Sequence, residues 1–355
     1  MKITHIEVGS KDFKLVKPYR IANITIDKVS NCFVTLSLEN GVTGFGTGAP
    51  IDFVTGENMT SCLNALDQSH LSWLLNQSIY SLPALTKTLQ TKLGSSPAAR
   101  AALDIALYDA YGKLCKIPLV DVLGRAHRTL PTSITVGIKN IDDSIRESLE
   151  YVAQGFQIIK IKLGEDVDKD IEMVHVLSER LPKEIKLRVD MNQGYGLEQL
   201  LKFVNKTNEL DIELIEQPFA RHANQDLQQL PLAIRNIIAA DESLISVDDG
   251  FGLIAPHKLC NIFNIKLMKC GGITPALQLA NLAQWAEVDL MWGCMDESII
   301  GISAALHTAL ACPKTKYLDL DGSFDIAKDI VKGGFILEKG MLSTTDQPGL
   351  GVELI

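Results

Sequence analysis

The stretch "IIKIKLG", residues 158–164, places Lys160 and Lys162 two positions apart in an otherwise apolar run. Successive side chains of a β-strand point to opposite faces, so both ammonium groups would lie side by side on one face. Two like charges this close, on a strand that is otherwise suited to burial, cost free energy. The stretch therefore predicts a buried strand whose polar face has a function.

Short runs of the same kind recur along the chain, and a helical pattern follows almost every one. The eight runs are "SITVGI", "IIKIKLG", "KLRVDMNQ", "IELIEQP", "IIAADES", "IFNIKLM", "VDLMWGCM" and "YLDLDG". The polar residues that end the second to sixth runs recur about every 25 residues, which is typical of a (β/α) barrel. A doubly wound open sheet is the competing fold, but "GFGTGAP" does not fit the glycine pattern of a nucleotide-binding loop.

The N-terminal third has a different pattern, with predicted strands first and predicted helices after them. Three strands are predicted in residues 1–50, "KITHIEVGS", "IDKVSNCFVTLSLENG" and "TGFGTGAP", and Asn40-Gly41 predicts a hairpin between the second and third. From about residue 57 to 114 the pattern is helical, and Pro118 marks its end. A meander followed by helices indicates an α+β domain.

The predicted organisation is therefore an α/β chain with a modified TIM barrel and a capping domain. The predicted divisions are an α+β capping domain at 1–118, a (β/α)7β catalytic barrel at 119–322 and a C-terminal strand-and-turn segment at 323–355. We expect this last segment to return to the capping domain and complete it.

Composition limits the classes of function. The 355 residues carry a net charge of −9 and show no basic run, which argues against nucleic acid or an anionic membrane surface as a partner. No apolar stretch approaches the length of a membrane span, and no signal-peptide pattern opens the chain, so the cytoplasm is the expected location. Seven cysteines without a C-x-x-C pair, and seven histidines without ligand spacing, predict neither a zinc site nor a disulfide framework.

The active site of a (β/α) barrel lies at the C-terminal ends of its strands. The charged residues at these ends are, in chain order, Lys160 and Lys162, Asp190, Glu216, Asp241, Lys266, and Asp319 with Asp321. Three successive strands thus deliver one carboxylate each to the same rim, where an all-oxygen set favours a hard cation such as Mg²⁺. Taken singly, such residues more often cap helices or extend to solvent. Five charged residues at corresponding positions of successive strand ends instead favour an active site.

This ordered set resembles the enolase superfamily, and specifically its muconate-lactonizing-enzyme subgroup, over nearly the whole chain. The segments that carry the resemblance are "KIK", "VDMNQ", "IEQP", "ADES", "NIKLMKCGG" and, before the barrel, "AALDIALYDAYGK". The resemblance implies one Mg²⁺ per subunit, held by Asp190, Glu216 and Asp241, that binds a substrate carboxylate and stabilises an enediolate.

By the same resemblance, Lys162 and Lys266 are the acid–base pair on opposite faces of the substrate α-carbon. A lysine base must be neutral near pH 7, so we expect its pKa to fall through burial and neighbouring cations. Lys160 is predicted to be the neighbour that disfavours a charge on Lys162, and to contact the substrate carboxylate.

Asp319 and Asp321 resemble the Asp-x-Asp motif with which dipeptide epimerases hold the substrate α-ammonium. The predicted activity is therefore epimerisation of a dipeptide at its C-terminal residue, with L-Ala-D/L-Glu from cell-wall peptide recycling as the leading substrate. Other dipeptides, hydrophobic or cationic at that residue, are the first alternative. An N-acylamino acid racemase or o-succinylbenzoate synthase is the next, and a non-catalytic metal-binding barrel is the alternative from another class.

Further candidates for substrate binding are Arg20, Thr135 and Asp296. Arg20 lies where the family has a mobile loop and would suit a second substrate carboxylate. "GAPIDFVTGEN", residues 48–58, resembles a second mobile loop, and Asn192 is expected to support the metal ligands. We expect a homo-oligomer with a small-molecule substrate.

Overall fold

The computed structural model describes residues 1–21 and 24–355, without the side chains of residues 18–21, 24–26 and 53. The strands are β1 (Ile3–Ile21), β2 (Ile24–Leu38), β3 (Thr43–Gly48), β4 (Thr129–Pro131), β5 (Ile134–Val136), β6 (Ile158–Lys162), β7 (Lys186–Asp190), β8 (Ile212–Glu216), β9 (Ile238–Ala240), β10 (Ile262–Ile265), β11 (Asp289–Trp292), β12 (Thr315–Leu318), β13 (Val331–Gly333), β14 (Phe335–Glu338), β15 (Met341–Thr344) and β16 (Val352–Leu354). The helices are α1 (Asp52–Thr55), α2 (Met59–Ala65), α3 (Gln68–Leu71), α4 (Leu82–Lys92), α5 (Pro97–Cys115), α6 (Leu119–Leu123), α7 (Ile141–Ala153), α8 (Val167–Arg180), α9 (Leu197–Lys206), α10 (Asn224–Gln229), α11 (Leu232–Arg235), α12 (Val247–Ile254), α13 (Leu267–Cys270), α14 (Ile273–Trp285) and α15 (Ile299–Ala311). Short 3₁₀ helices span Ser72–Leu74 and Ile79–Ser81.

The antiparallel meander β1-β2-β3 forms the N-terminal sheet, and its second turn is the predicted Asn40-Gly41 hairpin. Gly41 has a φ of 83°, a left-handed conformation that glycine adopts without steric cost. The first strand is longer than the predicted "KITHIEVGS", because Phe13 and Leu15 continue the buried alternation beyond residue 10. β1 and β2 therefore form a long hairpin that extends away from the rest of the sheet.

Helix α5 packs directly on β3, and small residues on both elements permit the close approach. A Cβ atom at Gly46 would lie 1.8 Å from the carbonyl oxygen of Ala102, so no side chain fits at this position. Gly44 and Gly48 face the same helix in the same way. The alternating glycines of "TGFGTG" are thus explained by helix packing, and the N-terminal core lies between this sheet and α2, α4 and α5.

The eight predicted runs form one parallel sheet, β5 to β12, in which each strand pairs with its neighbours in sequence. The sheet curls until its edges meet, where Thr132 bridges Leu318 and the Ser133 amide donates to the Leu318 carbonyl over 3.0 Å. Every strand therefore ends at the same rim, and the fold is an eight-stranded barrel beside a separate antiparallel domain, as the sequence predicts. No helix of the described chain is long and apolar enough to cross a membrane.

The segment after the barrel contacts both parts of the molecule. Its strand β15 joins β4 and β14 in a small sheet over α15. Ile326 bridges Leu15 of the long hairpin, and Gly349 exchanges backbone hydrogen bonds with Ile117 and Leu119 at the end of α5. The end of the chain thereby ties the N-terminal sheet and helix to the barrel.

His307 of α15 is a buried residue whose ionisation is linked to folding. Its Nδ1 accepts a hydrogen bond of 2.9 Å from the Val120 amide at the start of α6. Burial lowers the pKa of His307 to about 3, so the folded protein keeps the ring neutral well below its ordinary pKa.

We expect acid to destabilise the fold through His307. Between about pH 6.5 and pH 3 this histidine is protonated in the unfolded chain but neutral in the folded one. The free energy of unfolding therefore falls by up to about 1.4 kcal/mol for each pH unit of acidification. His307→Asn keeps a hydrogen-bond acceptor near Val120 but cannot ionise. Urea unfolding at pH 7, 6, 5 and 4 should show a shallower acid loss for this variant. Parallel pH profiles for the two proteins would contradict the assignment.

Candidate active site

The two lysines of β6 lie on one face of the strand, as predicted, and at the rim of the barrel. Lys160 is 3% exposed, and its Nζ lies 3.1 Å from Asp190, 2.7 Å from Glu216 and 2.7 Å from Asp319. Lys162 is 31% exposed, and its Nζ lies 2.9 Å from the same oxygen of Asp190. The charge of each lysine is thus compensated by carboxylates, which explains how the strand accommodates both.

The three predicted metal ligands come from adjacent strands. Asp190 and Glu216 end β7 and β8, Asp241 follows β9, and all three side chains are buried. Lys266, directly after β10, places its Nζ 2.8 Å from Asp241. Because lysines lie among the acids, no three Asp, Glu, His or Cys side chains of the described residues form a ready group of metal ligands. The residues are brought together, but as ion pairs.

The three acids differ in the direction in which their surroundings shift their pKa values. Burial and the charge of Asp190 raise the pKa of Glu216 to about 8. Asn264 donates to its Oε1 over 2.8 Å, whereas Oε2 accepts no hydrogen bond although Lys160 is close by. Burial also acts to raise the pKa of Asp190 and Asp241, but the neighbouring lysines outweigh it and hold both pKa values below the ordinary range. Glu216 is therefore the least satisfied member of the set.

The pKa of Lys266 shifts in the opposite direction to the one predicted for a lysine base. Burial lowers the pKa of Lys160 and of Lys266, but the surrounding carboxylates outweigh it and raise both. For Lys266 these are Asp241 and Glu216. With carboxylates as their immediate neighbours, both of these lysines are held protonated, so the expected fall in pKa does not follow from burial in this arrangement.

Asp319 and Asp321 follow β12 and share a face, yet their environments differ. Asp319 accepts hydrogen bonds from Lys160 at 2.7 Å and from the Ser133 hydroxyl at 2.6 Å. Burial acts to raise its pKa, but the charge of Lys160 and these hydrogen bonds outweigh it and lower the pKa. Asp321 accepts from the Thr135 amide at 2.7 Å, and burial together with the charge of Asp319 raises its pKa to about 6. The second carboxylate is the one short of positive partners.

The remaining predicted residues divide into three groups. Thr135 contacts Asp321 and, with Asp296, lines the cleft above the rim. Asn192 accepts a hydrogen bond of 3.0 Å from Lys162 and is placed to support the acidic cluster. Arg20 belongs to β1, but its side chain lies outside the described residues.

Three polar residues of the site were missed in the sequence. Lys269 is completely buried and bonds to Asp241 from below, Asn264 bonds to Glu216, and Ser133 bonds to Asp319. The signal for Lys269 was the K-x-x-K spacing of "NIKLMKCGG", because the short helix α13 turns both lysines toward one acid. Asn264 precedes Lys266 by two positions at the end of β10, and Ser133 precedes Thr135 by two at the start of β5, so the alternation of an extended backbone predicts a shared face for each pair.

A cleft of about 1250 Å³ opens over these residues. Its described lining includes both catalytic candidates, Lys162 and Lys266, and both residues of the Asp-x-Asp motif. Residues 49–52 of the predicted second mobile loop line it from the N-terminal domain, and residues 27–30 of β2 line it from the long hairpin. The site therefore lies between the barrel rim and the capping domain.

A barrel of this order, with acids on three adjacent strands, lysines on either side and an N-terminal domain over the rim, defines the class of enolase-type enzymes. Residues 3–124 match the family described as "Mandelate racemase / muconate lactonizing enzyme, N-terminal domain", and residues 143–355 match "Enolase C-terminal domain-like". The chain belongs to the mandelate racemase / muconate lactonizing enzyme family of the enolase superfamily and is an isomerase of its dipeptide epimerase group.

Relatives at half identity cover the whole length. The "L-Lys-D/L-Arg epimerase" of Methylococcus capsulatus is 50% identical over 352 residues, 99% of each chain. The "L-Lys-D/L-Arg epimerase" of Desulforapulum autotrophicum is 50% identical over 355 residues, 100% of each chain. The crystal structure of the dipeptide epimerase from Methylococcus capsulatus, complexed with Mg and the dipeptide L-Arg-D-Lys, superposes with a TM-score of 0.97 at 50% identity over 99% of both chains.

Removing the charge of Lys160 should strongly destabilise the protein. Lys160→Met keeps a long side chain but leaves the buried Asp190, Glu216 and Asp319 without their shared cation. Breaking a buried ion pair from one side costs roughly 3–5 kcal/mol. Urea unfolding in chelator should show a loss of this size, whereas the matched variant Lys162→Met, at a more exposed position, should lose less. Equal small losses for both would contradict the proposed charge balance.

Proposed function

We propose that this enzyme is a Mg²⁺-dependent epimerase of dipeptides with cationic side chains, inverting the α-carbon of the C-terminal residue by proton transfer between two lysines. One observation carries the proposal. Lys162 ends the second strand of an eight-stranded barrel and Lys266 follows the sixth, half a turn away, and both line the same cleft. A substrate carbon between them has one lysine on each face.

Inversion at a carbon requires a base on one face and an acid on the other. Lys162 takes the α-proton in one direction of the reaction and Lys266 returns one to the opposite face, and their roles exchange in the reverse direction. Lys266 is 11% exposed and Lys162 31% exposed, so both can reach a bound substrate while the barrel rim limits access of water.

The acids of the rim fit Mg²⁺. The set is composed of carboxylate oxygens, and the buried Oε2 of Glu216 accepts no hydrogen bond from any described residue, its near neighbour being the ammonium of Lys160 at 2.7 Å. We propose that Asp190, Glu216 and Asp241 hold the ion. When bound, Mg²⁺ would supply positive charge to the substrate carboxylate and compete for the carboxylate charge that now raises the pKa of Lys266.

The free α-ammonium of the dipeptide is matched by the Asp-x-Asp motif. Lys160 already compensates the charge of Asp319, so Asp321 is the member of the pair whose negative charge can bind a cationic group of a ligand. A substrate ammonium there would hold Asp321 ionised and would fix the peptide so that its C-terminal residue lies toward the lysines. This recognition separates dipeptides from N-acyl amino acids, which carry no charge at that end.

Two observations support cationic dipeptides over the predicted L-Ala-D/L-Glu, which remains unconfirmed. Both relatives at 50% identity are named for L-Lys-D/L-Arg. Acidic side chains also outnumber basic ones along the described lining of the cleft, which favours a cationic ligand. A cytoplasmic location, a role in cell-wall peptide recycling and a homo-oligomeric state remain predictions from the sequence.

An isotope-exchange experiment should distinguish the roles of the two lysines. L-Lys-L-Arg and L-Lys-D-Arg are each incubated with enzyme and Mg²⁺ in D₂O, and the α-carbon is followed by NMR and chiral chromatography. Lys162→Ala and Lys266→Ala should each lose epimerisation by a factor on the order of 10²–10⁴. Each variant should still exchange the α-proton of the isomer that its remaining lysine serves. That isomer should be L-Lys-L-Arg for one variant and L-Lys-D-Arg for the other.

Chelator provides the control for the metal. The wild-type enzyme should neither exchange nor epimerise after treatment with EDTA, and added Mg²⁺ should restore both reactions. Inversion at the wild-type rate by either lysine variant would exclude the two-base scheme, and full turnover in metal-free buffer would exclude the metal.

The ammonium recognition can be tested on the substrate and the protein together. N-acetylation of the dipeptide removes the charge that Asp321 is proposed to bind, and a charged hydrogen bond contributes roughly 1.5–3 kcal/mol. We expect kcat/KM of the wild type to fall at least about tenfold on acetylation. Asp321→Asn should lose activity on the free dipeptide and little on the acetylated one. Faster turnover of N-acyl amino acids by the wild type would favour an N-acylamino acid racemase instead.

A further inference from the structure

Asp325 lies in the wall of the cleft, four positions after Asp321, on the segment between β12 and β13. Backbone contacts hold this segment against the long hairpin. The Asp325 carbonyl accepts from the Val16 amide at 2.7 Å, Ile326 bridges Leu15, and the Ala327 amide donates to the Lys14 carbonyl at 2.9 Å. The position of Asp325 is therefore fixed by both neighbouring elements.

The carboxylate of Asp325 has no hydrogen-bond donor among the described residues. Its charged neighbours are chiefly acids, Asp321, Asp296 and Glu147, and Lys17 is the cation that opposes them. Burial, followed by these acids, raises its pKa to about 7. A carboxylate held half-buried among like charges is stabilised by any cation that enters the cleft.

Glu147, the acid opposite on α7, is satisfied within the protein. Lys139 forms an ion pair with it, Lys17 lies 3.5 Å away, and the Tyr151 hydroxyl donates to it at 3.2 Å. Asp321 in turn accepts from the Thr135 amide and is assigned to the substrate α-ammonium. Asp325 is thus a carboxylate of this wall that remains for a second positive group.

We propose that Asp325 binds the cationic side chain of the N-terminal residue of the dipeptide and selects Lys or Arg at that position. The inference rests on the proposed function, because it takes the α-ammonium of the same residue to lie at Asp321. Asp321 and Asp325 interact electrostatically, so the two positive groups of one lysyl residue meet two carboxylates of one wall. Neither the metal nor the acid–base lysines take part in this contact.

Norleucine is the uncharged counterpart of lysine and makes the test specific. The ratio of kcat/KM for L-Lys-L-Arg to that for L-Nle-L-Arg is measured with the Mg²⁺-loaded enzyme. The wild type should favour the lysyl substrate, and Asp325→Asn should reduce the ratio by about tenfold, the loss expected when one charged hydrogen bond is removed. Asp325→Glu should retain part of the preference because the charge is kept.

Asp142→Asn is the matched control, since Asp142 lies on the exposed surface of α7, outside the cleft lining, and the variant has the same net charge. Its ratio should equal that of the wild type. An unchanged ratio in Asp325→Asn, an equal loss on both substrates, or a wild type without preference for lysine would overturn the inference while leaving epimerase activity intact. Turnover of neither dipeptide by the wild type would instead refute the proposed function, and the inference with it.

Discussion

The structure depends on the balance of charge at the barrel rim. Parallel strands that end together bring Asp190, Glu216 and Asp241 to adjacent places, and three buried carboxylates repel one another in a medium of low dielectric constant. The buried ammonium group of Lys160 lies within 3.1 Å of two of them and of Asp319. The other lysines of the rim pair with Asp190 or Asp241, and Asn264 and Ser133 donate to Glu216 and Asp319.

This balance also explains why the site can respond to a ligand. The lysines are compensated by the same acids that would hold a metal ion, so the two sets of partners compete for one set of oxygens. Any cation that binds the carboxylates weakens their hold on the lysines, and any proton that leaves a lysine raises the affinity of the acids for a cation. Binding and acid–base chemistry are therefore linked through shared contacts.

Much of this arrangement could be predicted because strands and helices leave periodic signals. Alternation within "IIKIKLG" and a repeat of about 25 residues identify the barrel and place Lys160, Asp190 and Lys266 at its rim. Partnerships across the barrel leave no such signal. That Asp319 pairs with Lys160, whereas Asp321 accepts from a backbone amide, depends on how the curled sheet closes. The direction of the pKa shifts of Lys160 and Lys266 depends on distances that no spacing encodes. The extension of β1, by contrast, did leave a signal in the sequence, because Phe13 and Leu15 continue the alternation of buried residues beyond residue 10.

The bridge between Leu15 and Ile326 joins residues near opposite ends of the sequence. The ribosome makes the hairpin long before the segment that anchors it, so the contacts of residues 14–16 with residues 325–327 form only after the barrel strands have been made. The cleft wall that contains Asp325 is assembled at the same moment. A chain that ends before residue 325 therefore lacks both the anchor of the hairpin and one wall of the cleft.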